Sequence, residues 1–347
     1  MKIRIAFFDA RPYDQASFNR LITPDIEIKY FPGHLNEDTA GLAAGSHVVC
    51  AFVNDLLSAP VIETLIQNGV KLAALRCAGY NNVDLNAAYG KLHVIRVPAY
   101  SPYAVAEHAV SLMMALNRKT HKAYARVRDG NFAINGLLGF DMNGKTAGII
   151  GTGKIGKVLV RILAGFGMKI LAFDHHPDPA WGEKYSVQFT DRDTIYRESD
   201  IISLNCPLNK ETHHMINEKT IVKMKHGVML INTGRGGLID SQALIDGLKN
   251  YKIGAAGLDV YEEENEFFFE DHSGDILNDD VLARLLTFPN VIITSHQGFF
   301  TAEAMNSIAE TTIEGIKDFF DGKSLVNEIC YRCDSAVCVH KEQGRCF

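Results

Sequence analysis

One stretch of this sequence restricts the possible folds more than any other. The apolar segment Thr146–Ile150 runs directly into Gly151-Thr-Gly153-Lys-Ile-Gly156, and an apolar segment with helical periodicity follows. Gly151 permits a tight turn, Gly153 lets the backbone approach a phosphate group, and Gly156 lets a helix pack close to the strand. An anion is attracted to the free N–H groups at the start of such a helix. The stretch therefore predicts a βαβ unit that binds a dinucleotide.

A carboxylate follows at the spacing expected for a residue that binds the ribose of the dinucleotide. The strand-like segment 169–173 is followed directly by Asp174, which lies eighteen residues beyond Gly156. A carboxylate in this position accepts hydrogen bonds from the ribose hydroxyls of NAD and repels the 2′-phosphate of NADP. No arginine follows Asp174, although His175 and His176 do. We therefore predict NAD as the cofactor.

Two series of short strand-like segments alternate with helical or turn-rich segments along the chain. Their runs of Val, Ile and Phe are typical of parallel strands covered on both faces. The alternation predicts an α/β protein with two doubly wound, Rossmann-like domains. The first series comprises 3–8, 26–31, 48–52, 72–76 and 94–97, and the second comprises 146–150, 169–173, 187–189, 201–205, 228–232, 255–260 and 291–294.

The predicted helices indicate how the chain passes between the two domains. Pro98 and Pro102 bracket a turn, and apolar residues at helical spacing predict a long helix over 105–119. The last predicted helix, 302–320, follows the final strand of the second series, so a second crossing is expected near residues 297–301. The chain is therefore expected to leave the first domain, build the second and return.

Length and composition fit two domains and exclude several classes of function. A chain of 347 residues is too long for one ordinary core. The net charge of −6 provides no global positive field for nucleic acid. No apolar run approaches the ~20 residues that span a bilayer, and the N-terminus lacks a secretory signal pattern. Cys50, Cys77 and Cys206 lie in strand-like runs, as expected of buried thiols in a reducing compartment. We therefore expect a cytoplasmic protein that binds neither membrane nor nucleic acid.

Four polar residues of the second series lie on or just after predicted strands. They are Arg235, Asp259, Glu264 and His296. Ligands of open α/β sheets bind beyond the carboxyl ends of the strands, so these side chains could converge on one site. Each alone also has an ordinary structural explanation, as a surface arginine or carboxylate or a packed histidine. Together they indicate a catalytic site.

These segments resemble the D-isomer-specific 2-hydroxyacid dehydrogenase family, and the resemblance runs from about residue 3 to residue 327. Three segments are most similar to the D-lactate dehydrogenase branch: Cys77-Ala-Gly-Tyr-Asn-Asn-Val-Asp84, Val97-Pro-Ala-Tyr100-Ser-Pro and His296-Gln-Gly-Phe-Phe-Thr301. The resemblance implies an NAD-binding Rossmann domain inserted in a split flavodoxin-like substrate (catalytic) domain. The expected division is residues 1–100 plus 298–330 for the substrate domain, 101–297 for the NAD-binding domain and 331–347 for a cysteine-rich tail.

The resemblance also implies that Arg235, Glu264 and His296 form a catalytic trio for the reversible reduction of pyruvate to D-lactate. NADH supplies a hydride, and His296 supplies a proton because imidazole titrates near neutral pH. Glu264 fixes the imidazole tautomer, and the planar fork of Arg235 binds the substrate carboxylate. Two alternatives stay open: a bulkier 2-keto acid, such as phenylpyruvate or a branched-chain acid, and, less favoured, an NADH-sensing binding protein.

Secondary assignments follow from the same resemblance. The backbone N–H groups of Ala78 and Gly79 are expected to bind the carboxylate, and Tyr100 to line the substrate pocket. Phe299 stands where some relatives carry tyrosine, which leaves the preferred 2-keto acid open. A homodimer or homotetramer is expected. The expected cofactor-binding residues are Gly151, Gly153, Lys154, Ile155, Gly156, Asp174, Cys206, Pro207, Thr212, Thr233, Gly234 and Asp259.

The tail beyond the family-like region carries Cys330, Cys333, Cys338, His340 and Cys346. Cys-x-x-Cys can supply two soft metal ligands from one turn. The remaining spacings, four and seven residues, match no zinc module, so a metal site is not predicted. A redox-sensitive or disulfide-prone tail is an alternative, and an incidental appendage is favoured.

Overall fold

The computed structural model describes residues 2–264, 267–333 and 343–347. The chain forms two compact units. The split unit comprises Met1–Ser101 and Thr301–Phe347, and the inserted unit comprises Pro102–Phe300. The chain thus crosses from one unit to the other at residues 101/102 and 300/301.

A five-stranded sheet forms the centre of the split unit: β1 (Ile3–Phe7), β2 (Ile26–Tyr30), β3 (Val48–Ala51), β4 (Leu72–Leu75) and β5 (His93–Arg96). The strands lie in the order β2-β1-β3-β4-β5, and all neighbours are parallel. This is the strand order of flavodoxin-like folds. The helices of this unit are α1 (Pro12–Phe18), α2 (Ala59–Gln67), α3 (Leu85–Ala88) and α12 (Ala302–Phe320).

Both faces of this sheet are covered, which explains the uninterrupted apolar sequences of its central strands β3 and β4. Every residue of β3 and β4 is buried. Ile62 and Leu65 of α2 belong to the core on one face, and Ile313 and Ile316 of α12 belong to the core on the other. The helix that follows the return of the chain therefore completes the core of the split unit.

Seven parallel strands form the sheet of the inserted unit: β6 (Thr146–Ile150), β7 (Lys169–Phe173), β8 (Val187–Phe189), β9 (Ile201–Leu204), β10 (Val228–Asn232), β11 (Ile253–Leu258) and β12 (Val291–Ile293). Their order is β12-β11-β10-β9-β6-β7-β8. The order reverses between β6 and β9, which is the Rossmann topology extended by one strand. Its helices are α4 (Pro102–Arg118), α5 (Thr120–Arg128), α6 (Lys154–Gly165), α7 (Pro179–Lys184), α8 (Arg192–Glu198), α9 (Glu218–Lys223), α10 (Ser241–Lys249) and α11 (Asp280–Thr287).

The predicted fold class is confirmed, and most strand bounds agree with the sequence pattern to within a residue. Two elements differ. β11 begins at Ile253 rather than 255, because its pairing with β10 starts there and continues through a register irregularity. α4 begins at Pro102 rather than 105, since the fixed φ of proline suits a first helical turn. Within the described ranges, no helix has the length and apolar character needed to cross a membrane.

Candidate active site

The glycine-rich loop lies between β6 and α6, at the point where the strand order of the inserted unit reverses. Gly151 has a φ of 97°, a left-handed conformation that favours glycine. A Cβ atom on Gly156 would collide with the carbonyl oxygen of Gly151, so helix and strand approach more closely than any side chain allows. A Cβ atom on Gly153 would meet nothing within 4 Å. The loop thus combines tight packing behind Gly156 with open space beside Gly153, which fits an approaching pyrophosphate.

Asp174 follows β7 and is bound to the same loop. Its Oδ2 accepts hydrogen bonds from Thr152 N at 2.6 Å and Thr152 Oγ1 at 3.0 Å, and its Oδ1 accepts one from His176 N at 2.9 Å. Burial opposes ionisation, but these hydrogen bonds outweigh it and lower the pKa of Asp174 below its ordinary value. Asp174 is therefore an ionised carboxylate beside the glycine loop, as a ribose-binding residue requires.

The segment after β9 packs internally. Thr212 Oγ1 donates a hydrogen bond to the Pro207 carbonyl oxygen at 2.7 Å and accepts one from Asn209 N at 2.8 Å, which closes a tight turn. Burial raises the pKa of Cys206 to about 11, so this thiol is protonated at neutral pH. Cys206 therefore serves as an apolar surface here rather than as a nucleophile.

Arg235 projects from the loop that follows β10. The guanidinium is exposed, and its Nη1 donates a hydrogen bond to the Gly234 carbonyl oxygen at 2.7 Å. Asn232 is buried below the loop: its Nδ2 donates to the Arg235 carbonyl oxygen at 2.9 Å, and its Oδ1 accepts from Gly234 N at 3.1 Å. A Cβ on Gly236 would collide with the backbone of Tyr261. The loop is thus held rigidly while its arginine is free to meet a ligand.

His296 lies beyond β12 and is paired with Glu264. The His296 Nδ1 and Glu264 Oε1 atoms are 2.8 Å apart, and Glu264 Oε2 accepts a hydrogen bond from Tyr261 N at 3.1 Å. His296 has a φ of 52°, a conformation that is uncommon outside glycine and often marks a functional constraint. The Phe269 ring lies 6.0 Å from the imidazole. The side chains of His296 and Glu264 are 25% and 18% exposed, so most of the pair is buried but part of it remains accessible to solvent.

Asp259 organises the backbone that carries His296. Its Oδ1 accepts hydrogen bonds from Thr294 Oγ1 at 2.6 Å and Gln297 N at 2.9 Å, and it lies 3.2 Å from His108 Nε2. Its Oδ2 accepts one from Gly298 N at 2.8 Å. Burial opposes ionisation, but hydrogen bonds from His108, Thr294 and Gly298 N outweigh it and lower the pKa of Asp259. A buried, ionised carboxylate therefore fixes both ends of the turn that presents His296.

The structure separates two glutamates that lie two residues apart in an acidic segment. Glu264 faces His296, whereas Glu262 Oε1 lies 2.5 Å from His214 Nε2 and Glu262 Oε2 accepts a hydrogen bond from Ser241 Oγ at 2.7 Å. The two carboxylates therefore belong to different hydrogen-bond networks.

In the split unit, Ala78 and Gly79 follow β4 in a supported loop. Arg96 Nη1 donates a hydrogen bond to the Ala78 carbonyl oxygen at 2.7 Å, and the Arg96 guanidinium lies 5.0 Å from the Tyr80 ring centre. Within the described residues, the N–H groups of Ala78 and Gly79 donate to no protein acceptor. Tyr100 lies after β5 and is half-buried. The two free N–H groups suit an anion.

The structure thus brings five predicted residues of the inserted unit to the carboxyl ends of three neighbouring strands: Thr233, Gly234 and Arg235 after β10, Asp259 after β11 and His296 after β12. Lys154 and Ile155 open α6 beside the glycine loop, and half-buried Phe299 closely follows His296. Sequence reasoning missed His108 and Asn232, because a lone histidine in a helix and a buried asparagine carry no distinctive pattern.

Comparisons with known proteins agree on one family. A profile described as "D-isomer specific 2-hydroxyacid dehydrogenase, NAD binding domain" matches residues 110–298. The D-lactate dehydrogenase of Escherichia coli K12 is 51% identical over 329 residues, which cover 94% of this chain and all of that protein. The D-lactate dehydrogenase kk1H of Curvularia clavata is 47% identical over 94% of this chain and 95% of its own. The solved structure of the pyruvate reductase of Chlamydomonas reinhardtii aligns with a TM-score of 0.91 at 44% identity, over 94% of this chain and 98% of that one.

Proposed function

The chain belongs to the D-isomer-specific 2-hydroxyacid dehydrogenase family, and on that premise we propose that it is an NAD-dependent D-lactate dehydrogenase that interconverts pyruvate and D-lactate. The observation that carries the proposal is the His296–Glu264 pair, with 2.8 Å between Nδ1 and Oε1, at the carboxyl end of β12. It stands in the same unit as the glycine loop that fits a dinucleotide. A paired acid near a hydride source is what reduction of a 2-keto acid requires.

The direction of the hydrogen bond decides which imidazole atom transfers the proton. An ionised carboxylate only accepts hydrogen bonds, so the Nδ1 that faces Glu264 carries the hydrogen. Nε2 is then the atom that donates a proton to the carbonyl oxygen of pyruvate, and it recovers that proton when D-lactate is oxidised. NADH, when bound, supplies the hydride that reduces the carbonyl carbon. Glu264 stabilises the positive charge of the imidazolium before transfer and keeps the ring in one orientation.

Arg235 provides the charge that orients the substrate. Its exposed guanidinium can bind the carboxylate of pyruvate through two parallel hydrogen bonds. The same positive charge stabilises negative charge that develops on the carbonyl oxygen during reduction. The rigid loop beneath it, held by Asn232, limits the entropy lost when the substrate binds.

The remaining assignments concern the cofactor and the other end of the substrate. The glycine loop binds the pyrophosphate, Asp174 binds the ribose, and Asp259 holds the carboxamide. The remaining cofactor contacts are assigned to Lys154, Ile155, Cys206, Pro207, Thr212, Thr233 and Gly234. In the split unit, the N–H groups of Ala78 and Gly79 bind the carboxylate.

The identity of the substrate depends on the side chains beside its methyl group, for which we propose Tyr100 and Phe299. Bulkier 2-keto acids are poorer substrates in this proposal. We also propose that the enzyme works as a homo-oligomer in the cytoplasm, a reducing compartment that suits buried thiols such as that of Cys50.

A substrate panel tests this proposal. NADH oxidation is measured with pyruvate, phenylpyruvate, 2-ketoisocaproate, glyoxylate and hydroxypyruvate, and the product is resolved by chiral chromatography. We expect pyruvate to give the highest kcat/KM and D-lactate to be the product. A higher kcat/KM with a bulkier 2-keto acid would agree with the mechanism but show that pyruvate is not the preferred substrate. Tight NADH binding without turnover would indicate an NADH-sensing binding protein.

A further inference from the structure

The end of the chain is anchored on the split unit. Leu325 N donates a hydrogen bond to the Gly344 carbonyl oxygen at 2.8 Å, and Arg345 Nη2 donates one to the Phe319 carbonyl oxygen at 3.0 Å. The Phe347 ring stacks on His93 of β5, with 4.1 Å between ring centres. The last residues of the tail therefore occupy a defined position beside the sheet.

This anchoring brings three cysteines of the tail together. The Sγ atoms of Cys330, Cys333 and Cys346 all lie within 4.8 Å of one another, and those of Cys330 and Cys333 are 3.9 Å apart. Cys330 and Cys346 are buried, and Cys333 is half-buried. Cys338 and His340, the other candidate ligands in the sequence, lie outside the described residues.

We propose that Cys330, Cys333 and Cys346 bind one zinc ion through their three sulfur atoms and thereby fasten the end of the chain to the split unit. Chain spacing alone did not predict this site, since the spacings of four and seven residues that follow Cys333 match no zinc module. The fold nevertheless brings the three cysteines together, because the anchored end of the chain places Cys346 beside the Cys-x-x-Cys turn.

The separation of the Cys330 and Cys333 sulfurs matches a tetrahedral zinc site. A Zn–S bond is about 2.3 Å long, so two thiolates at tetrahedral angles around one ion stand about 3.8 Å apart. The observed separation of 3.9 Å between Cys330 and Cys333 agrees with this spacing. A disulfide needs about 2.05 Å between its sulfurs and would leave the third cysteine unpaired. Soft thiolate ligands favour zinc over the harder divalent cations.

The surroundings support a bound cation. Cys330 N donates a hydrogen bond to Cys333 Sγ at 3.0 Å, which holds the two residues in one tight turn. Glu328 lies beside the cluster and accepts a hydrogen bond from Cys346 N. The negative charge of this carboxylate favours a cation beside Cys346. Zinc binding releases the thiol protons to solvent and leaves the oxidation state of sulfur unchanged.

The test measures metal directly. The full chain is purified under reducing conditions without chelator, and zinc per chain is determined by elemental mass spectrometry for wild type, Cys346→Ser, Cys333→Ser and Cys50→Ala. Cys50 is a buried thiol of β3 and serves as the matched control. We expect one zinc per chain in the wild type and in Cys50→Ala, and less than half of that in the two serine variants.

A spectroscopic readout and a stability readout separate ligation from folding defects. Replacement of zinc by Co²⁺ should give a thiolate-to-cobalt charge-transfer band that loses about one third of its intensity in each serine variant that still binds cobalt. A chelator should lower the Tm of the wild type but not that of Cys346→Ser. Wild-type protein with no zinc and with Cys330, Cys333 and Cys346 all present as free thiols, or with a disulfide between two of these cysteines, would overturn the proposal.

Discussion

Replacement of Asp259 by asparagine tests how strictly the turn that carries His296 must be held. The carboxylate accepts hydrogen bonds from Thr294 Oγ1, Gln297 N and Gly298 N at 2.6, 2.9 and 2.8 Å. Asparagine keeps one acceptor oxygen and places an NH₂ donor at the position of the other. If its oxygen stays with Thr294 and Gln297, the NH₂ group faces Gly298 N, and two donors oppose each other.

The expected magnitude follows from that one lost contact. A hydrogen bond to a charged group contributes about 1.5–3 kcal/mol. If this free energy is lost from the transition state because His296 is displaced, kcat decreases by about 10- to 150-fold. The assay is the initial rate of NADH oxidation at saturating pyruvate, with thermal unfolding measured on the same preparation.

The pH dependence of stability provides an independent check on Asp259. Because hydrogen bonds hold the folded-state pKa of Asp259 below its ordinary value, the carboxylate stabilises the folded protein above that ordinary value. This contribution is lost as the pH falls through the folded-state pKa. The Tm difference between wild type and Asp259→Asn should therefore be largest near neutral pH and shrink on acidification.

Asp200→Asn is the matched control. Asp200 also has a lowered pKa and accepts hydrogen bonds from Thr146 N at 2.8 Å and Lys225 Nζ at 2.9 Å, but it lies at the amino end of β9. The Asp200→Asn substitution should lower the Tm and leave kcat near the wild-type value. If Asp259→Asn lowers the Tm and also leaves kcat unchanged, the turn does not position His296 for catalysis.

Further substitutions probe the remaining parts of the site. His296→Ala should lower kcat by about 10²- to 10⁴-fold with little change in the Kd for NADH, and a near-normal rate would exclude His296 as the acid. Arg235→Lys keeps the charge but loses the planar fork, so steady-state kinetics should show a raised KM for pyruvate more than a lowered kcat. Gly156→Ala should destabilise the fold by about 1–3 kcal/mol in denaturant unfolding and weaken NADH binding. Gly153→Ala should weaken NADH binding without loss of stability, because its Cβ meets open space in the protein alone; equal Tm losses in both variants would contradict this reasoning.

Local patterns predicted much of the fold. The glycine loop, the strand before it and the carboxylate after it lie within one βαβ unit, so their chemistry can be inferred from neighbouring residues. Strand bounds followed apolar runs because both faces of each sheet are buried. The alternation of strands and helices does not by itself give the order of the strands in a sheet. That order is restricted only by the general rules for connections in α/β proteins.

Contacts between distant segments could not be predicted in this way. His108 meets Asp259 across about 150 positions of sequence, and its helix offers no sign of that contact. The acidic segment contains several glutamates, and only the fold assigns Glu264 to His296 and Glu262 to His214. Cys330, Cys333 and Cys346 likewise lie together only in the fold, because their spacing along the chain gives no sign of it.

The rate of pyruvate reduction by Glu264→Gln, set beside that of Glu262→Gln, tests most directly whether His296 is an acid oriented by Glu264. Both substitutions remove one charge from the same segment and keep the side-chain shape. We expect Glu264→Gln to lower kcat by about 10²-fold or more, and Glu262→Gln to retain it. Equal rates in the two variants, with NADH binding intact, would contradict the proposed role of the His296–Glu264 pair.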